Sequence, residues 1–200
     1  GIVLLGWGEQ GFIYLFTNTP LRTAADLKEI TLWVWQGDSF AETIFESIGL
    51  FITNPIPVTK VLSSLQSGVI DAFYNTPIGA VALQWYPYVK YIMTRTMNYG
   101  TGALIMRKKS FIGYPAKVRE ALIGGEKKIL SKFLPLVRED NAAVLASFPK
   151  KGIKFVPPDP TLEKIVREKV EIAEIALSKK FYPDWLLRGV KQTLENYRRK

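Results

Sequence analysis

The side chains in this sequence that offer binding chemistry are aromatic. In "LKEITLWVWQGDS" (27–39), Trp33 and Trp35 flank Val34 in a short strand, so the two indoles share one face and Val34 takes the other. Indole offers a flat apolar face for stacking and a single N–H donor. A second cluster closes "VIDAFYNTP", where Phe73 and Tyr74 point to opposite faces of a strand, so at most one of them lines a cleft. Asn75 follows at the C-terminal end of that strand, where open α/β sheets bind ligands; it is either a pocket amide or an N-cap for a helix starting at Pro77. Trp7 sits in the glycine-rich "GWGEQG", a turn where backbone comes close to a ligand, and Tyr99 and Thr101 enter a later strand.

Catalytic chemistry is poorly provided for. The chain has no Cys and no His, which removes thiol nucleophiles, disulfides, histidine bases and the usual zinc ligand sets. No carboxylate pair has a catalytic setting and no G-x-S-x-G is present. Gly6, Gly8 and Gly11 have the G-x-G-x-x-G spacing, but Phe12 to Phe16 read as a strand where a dinucleotide site needs a helix. The sequence implies no enzyme, no cofactor and no metal. Residues 1–106 carry 5 Lys/Arg against 7 Asp/Glu, and residues 107–200 carry 22 against 11, giving the overall net charge of +9. The cations are mixed with acids along helices, as in "TLEKIVREKVEIAEIALSKK", so they read as a solvated basic face and not as a nucleic-acid surface. A nucleic-acid-binding protein is the rival reading from another class.

The elements that position these residues alternate between strand and helix, which points to α/β. Strands are expected at 2–5 and 12–16 around the glycine-rich turn, then at the tryptophan pair, "VIDAFY", "YGTGALIMRKK" and "GIKFVPP". Between them come a short helix at "RTAADL" capped by Thr23, and one at "SFAETIFESIGL" with a capping box of Ser39 and Glu42. "FITNPIPV" is extended by its prolines, and "TKVLSSLQSG" is a helix with Leu62 and Leu65 inward, ended by Gly68. The segment "TPIGAVALQWYPYVKYIM" (76–93) reads as a helix with Pro77 near its first turn, apolar on nearly every side until Pro87 and so buried. A long helical tract from Pro115 to about Phe148 breaks near Gly124-Gly125 and kinks at Pro135. Two helices close the chain, at about 161–180 and 183–198. Met93, Met97 and Met106 read as core filler. No apolar run approaches the ~20 residues that span a bilayer.

The segments "GFIYLFTNTPLRTAADLKEITLWV", "SIGLFITNPIP" and "VLSSLQSGVIDAFYNTP", with "YVKYIM" and "KKGIKFVPPD" further on, resemble the solute-binding receptors of TRAP (tripartite ATP-independent periplasmic) transporters over nearly the whole chain. The resemblance implies a two-lobed, type II-like periplasmic-binding-protein fold, with mixed sheets flanked by helices. The opening part of one lobe is expected to lie before Gly1. Residues 1–95 would then belong mostly to lobe II, and 96–200 to a hinge-crossing strand and helices packing mostly on lobe I.

In that family the arginine of "K-I-R-V" pairs bidentately with a ligand carboxylate. Here "TLWV" places Trp33 at its position. The resemblance therefore implies an interlobe ligand site at Trp33, Asn75, Trp7, Tyr74, Phe73, Trp35 and Tyr99. A core role for Trp33, and a core or lobe-rim role for Trp35, stand as the alternatives. Asp71 matches a structural position with a hydrogen-bonding role. The ligand would be a small molecule other than a simple carboxylate: neutral, aromatic or lipid-like. The partners implied are the membrane permease subunits of a TRAP-type transporter, and the location is periplasmic, with the signal peptide outside this chain. An apolar-ligand or lipid carrier or sensor of the same fold is the alternative.

Overall fold

A computed structural model describes residues 1–53 and 55–199. Asn54, within the stretch expected to be extended, and Lys200 lie outside the described residues. The strands are β1 (Ile2–Thr17), β2 (Thr31–Trp33), β3 (Phe51–Ile52), β4 (Ala72–Asn75), β5 (Tyr91–Met93), β6 (Asn98–Arg107) and β7 (Lys154–Val156). The helices are α1 (Ser39–Ser47), α2 (Val58–Ser67), α3 (Pro77–Ala82), α4 (Lys108–Ile112), α5 (Ala116–Ser147), α6 (Pro160–Phe181) and α7 (Asp184–Arg198). The α/β class expected from the alternation is the observed one.

The main sheet runs β3-β2-β4-β1-β5-β7. Strands β3, β2 and β4 are parallel to one another, β5 and β7 likewise, and the end of β1 is antiparallel to both β4 and β5. The period-two alternation of side chains divides the core between the two faces of this sheet. Leu15, Leu32, Ala72, Tyr74 and Met93 face one layer, closed by Phe45 of α1 and by Leu162 and Val166 of α6. Phe16, Trp33, Phe73 and Ile92 face the other, closed by Val61 and Leu65 of α2 together with Trp85 and Phe148. The division expected at residue 95 does not follow this packing, because Phe148, β7 and the start of α6 complete cores that residues 15–93 begin.

The glycine-rich segment is not a turn. Strand β1 runs through it for 16 residues and pairs with β6 from Ile2↔Arg107 to Ile13↔Asn98, leaving the main sheet as a two-stranded ribbon. Register shifts fall between Leu4 and Gly6 and between Glu9 and Gly11. Leu5 and Gln10 are the extra residues at these bulges, while Gly6, Gly8 and Gly11 keep partners on β6, and Gly11 has φ +103°, open to glycine at little cost.

Several helix boundaries differ from expectation. Asp38, not Ser39, N-caps α1, its carboxylate accepting the Ala41 N–H at 3.0 Å. In α2 the buried residues are Val61 and Leu65, with Leu62 partly buried, and Gly68 ends the helix at φ 74° as predicted. The Asp26 carboxylate accepts the amides of Arg22 and Thr23 at 2.9 and 2.7 Å, organising a 3-10 turn at Asp26–Glu29 in place of a Thr23-capped helix. The helix expected over 76–93 stops at Ala82, because Gln84 takes φ 57° just beyond it, and Tyr91–Met93 at its far end form strand β5, paired with β1 and β7. Helix α5 continues through Gly124-Gly125 and Pro135 for 32 residues without a break. Its packing against β1 and α3 offsets the hydrogen bond that Pro135 removes. Among the described residues, no helix is long and apolar enough to cross a membrane.

Candidate functional site

A groove of about 900 Å³ opens beside the C-terminal ends of the parallel strands β2 and β4. One wall is the turn after β2. Asp38 N–H donates to the Trp35 carbonyl at 3.0 Å, and Gly37 supplies φ 85°, so Trp35 and Asp38 stand at the two ends of one tight turn. The opposite wall is the β1–β6 ribbon with Glu9, Tyr99 and Thr101, and α5 forms the rim.

The floor comes from β4 and the start of α3. The Tyr74 hydroxyl donates to Asp38 Oδ2 at 2.7 Å. Burial, then the neighbouring Asp38 carboxylate, pushes the Tyr74 phenol well above its usual range, so it stays a neutral donor. Asn75 Oδ1 accepts the Thr76 N–H at 2.8 Å. Asn75 Nδ2 is enclosed and has no hydrogen-bond partner among the described residues. Thr76, not Asn75, caps α3, its hydroxyl accepting the Gly79 N–H at 3.1 Å. Gly79 allows the close approach of the two segments, since a Cβ there would lie 2.2 Å from Asn75 Oδ1.

Two contacts hold the walls together. Asn141 of α5, buried, donates to the Gln10 carbonyl at 2.8 Å and accepts the Ile78 N–H at 3.2 Å, tying helix, ribbon and α3. Glu9 accepts the Tyr99 hydroxyl at 2.5 Å and both Nε and Nη2 of Arg138, the latter at 3.0 Å. Arg138, then Tyr99, holds the Glu9 carboxyl below the usual carboxylate range, and Glu9 in turn raises the Tyr99 phenol.

The structure brings Trp35, Tyr74, Asn75, Tyr99 and Thr101 together on this groove. It places three predicted residues elsewhere. Trp33 is in the core at 1% exposure, its Nε1–H donating to the Ile56 carbonyl at 2.8 Å and its ring edge-on to Trp35 and Trp85 at 4.8 and 5.1 Å. Phe73 is fully buried, stacked on Phe16 at 4.8 Å. Trp7 is 64% exposed on the ribbon, facing a shallow depression with Leu130 and Leu134. Asp71 has the hydrogen-bonding role expected, its Oδ1 accepting the Thr31 N–H at 2.7 Å.

Sequence reasoning missed Asp38, Glu9 and the α5 rim. The rim had a signal: Phe133, Leu136, Val137 and Asp140 recur at helical spacing within one tract. A second groove of about 800 Å³ lies between α6 and α7, lined by charges of both signs that include the Lys191–Glu174 pair at 2.9 Å. Among the described residues, no cluster of His, Cys, Asp or Glu is arranged to hold a metal ion.

Comparison with known proteins gives the fold a context. Residues 1–176 match the family described as bacterial extracellular solute-binding protein, family 7. The C4-dicarboxylate-binding periplasmic protein of Rhodobacter capsulatus is 24% identical over 152 residues, 76% of this chain and 45% of that protein. The ectoine/5-hydroxyectoine-binding periplasmic protein of Ruegeria pomeroyi is 27% identical over 117 residues, 58% of this chain and 34% of that protein. A crystal structure of an extracytoplasmic solute receptor from Bordetella pertussis, which binds pyroglutamic acid, superposes with a TM-score of 0.84 at 24% identity, over 99% of this chain and 63% of that one. The chain thus spans less than half the length of these sequence relatives.

Proposed function

The chain belongs to the bacterial extracellular solute-binding proteins of family 7, and from that premise we propose that it captures a small molecule in the periplasm for a TRAP-type membrane permease. The observation that carries this reading is the groove at the ends of β2 and β4. An exposed indole, Trp35, and the side chains of Tyr74, Asn75 and Tyr99 line it together. Capture is reversible binding, with closure driven by the ligand's differential affinity for the closed state. The main sheet with its helices forms one lobe in this reading, and the β1–β6 ribbon leads toward the hinge. In this reading the groove binds its ligand and releases it unchanged, as the solute-binding description of the family implies.

The relatives bind a C4-dicarboxylate, ectoine and pyroglutamic acid, and at 24–27% identity none of these transfers to this chain. The ligand we propose is not a simple carboxylate. The position aligned with the family arginine is Trp33, whose indole is packed away, and a carboxylate desolvated without a cation costs several kcal/mol, on the order of 3–5. A nucleic-acid partner is not proposed, since the basic half interleaves its lysines with glutamates, as in Lys164–Glu168 and Lys191–Glu174.

Native mass spectrometry of the purified protein tests the reading. A co-purified small molecule should appear and be lost on denaturation and in Asn75→Ala. A clean apo spectrum, with no small-molecule fraction of a growth extract shifting the tryptophan fluorescence, would overturn it.

A further inference from the structure

We infer that the groove selects a small organic cation, an ammonium or amidinium compound, with its charge at the Asp38 carboxylate and its body against the Trp35 indole. This rests on the receptor reading above and names the chemical class of its ligand. The first argument is charge. Among the described residues lining the groove there are three carboxylates, Glu9, Asp38 and Asp140, and no Lys or Arg. Glu9 is already compensated, since Arg138 and Tyr99 occupy both its oxygens. Asp140 stands exposed on the α5 rim, where water screens it. Asp38 is different.

Asp38 is half-buried at the inner wall and has no cationic partner among the described residues. Its Oδ1 accepts one backbone N–H and its Oδ2 one phenol O–H. Each carboxylate oxygen takes two hydrogen bonds, so acceptor capacity remains on both. An anionic ligand would meet this charge without a compensating cation, whereas an ammonium or amidinium would complete it.

The second argument is geometry. Trp35 is 37% exposed, and the turn hydrogen bond of 3.0 Å between Asp38 N–H and the Trp35 carbonyl holds the indole and the carboxylate together. Trp33 and Trp85 back the ring at 4.8 and 6.2 Å, so its orientation is fixed by packing. A fixed indole beside a carboxylate is the combination that holds an organic cation, the ring face attracting the charge and the acid neutralising it. The Asn75 side chain lines the same groove.

Tryptophan fluorescence and calorimetric titration of the purified protein with choline and agmatine, against succinate and pyroglutamate as anions and galactose as a neutral probe, test the inference. At least one cation should bind, and Asp38→Asn should weaken it by about 10- to 100-fold. Asparagine keeps the helix cap and the acceptor for Tyr74, so circular dichroism and melting temperature should be unchanged. Trp35→Ala should weaken the same cation. Cation affinity that survives Asp38→Asn overturns the assignment. Binding of succinate, pyroglutamate or galactose with no cation binding overturns it too, and leaves the receptor reading standing. Failure of every probe, with no co-purified ligand, removes both.

Discussion

Two tryptophans two residues apart have separated roles, and substitution should show it. Trp33 is enclosed on all sides with its N–H satisfied, so Trp33→Ala should cost about 3–5 kcal/mol in urea unfolding. Trp35 is partly exposed on the groove, so Trp35→Ala should cost about 1–2 kcal/mol. Its larger effect should be on ligand binding. Gly79 supports the floor of the groove. Gly79→Ala should bring the ordinary helix-propensity gain of about 1 kcal/mol, but its Cβ would collide with Asn75 Oδ1. The expected result is no rise in melting temperature and a weaker ligand titration as Asn75 is displaced. At this scale the sequence was half legible. Strand alternation placed Trp33 and Trp35 on one face and separated Phe73 from Tyr74. It did not reveal that the Trp33 indole is closed over by Trp85, 52 positions along the chain, and takes its acceptor from Ile56. Such partners are fixed by tertiary packing, to which spacing along the chain is blind.

Among the elements, the ribbon and α5 are joined by Glu9, and that contact has a pH signature. The folded-state pKa of Glu9 is lowered by Arg138 and Tyr99, so the charged form is favoured by folding. The resulting stability is fully present above the unfolded-state value of about 4.3 and is lost as pH falls through the folded-state value. Unfolding free energies of wild type and Glu9→Gln, measured across the acidic range, should differ at neutral pH and converge below the ordinary carboxylate range. A difference that persists unchanged to low pH would mean that the contact adds nothing through its charge. Asp71 has the opposite sign. Burial raises its folded-state pKa, although the Thr31 amide opposes this. Its ionisation therefore disfavours folding as pH rises above the unfolded-state value. Most element types were readable from periodicity and caps, but Tyr91–Met93, read as the end of a helix, is strand β5. Boundaries were not: the glycine-rich stretch that suggested a turn runs on as bulged strand within β1, and the Gly-Gly and Pro135 that suggested breaks were carried inside α5. In both cases a long partner, β6 or β1, stabilises a regular element that local propensity alone would interrupt.

For the molecule as a whole, the two cores of the main sheet contrast with the ribbon. Order of elements and resemblance made the sheet legible, because alternating apolar strands needed covering helices on both faces. The ribbon instead exposes Ile2, Leu4, Trp7, Leu104 and Ile105, each between 47% and 65%. Ile2, Leu4, Trp7 and Ile105 fall on one face by the β1–β6 register, and apolar surface gathered in this way drives association. Leu4 and Ile105 are direct cross-strand partners, so they can be exchanged together without breaking the pairing. Leu4→Lys with Ile105→Glu replaces an apolar pair by an ion pair, which in a strand register is worth about 0.2–1 kcal/mol. This double variant should bind less of a hydrophobic dye such as ANS than wild type. In sedimentation velocity at rising concentration it should stay monomeric where wild type self-associates. The groove should be unaffected, since its ribbon wall begins at Glu9, beyond the substituted pair. Equal dye binding and equal association in the two proteins would place the sticky surface elsewhere, and the exposed faces of α6 and α7 would be the next to change.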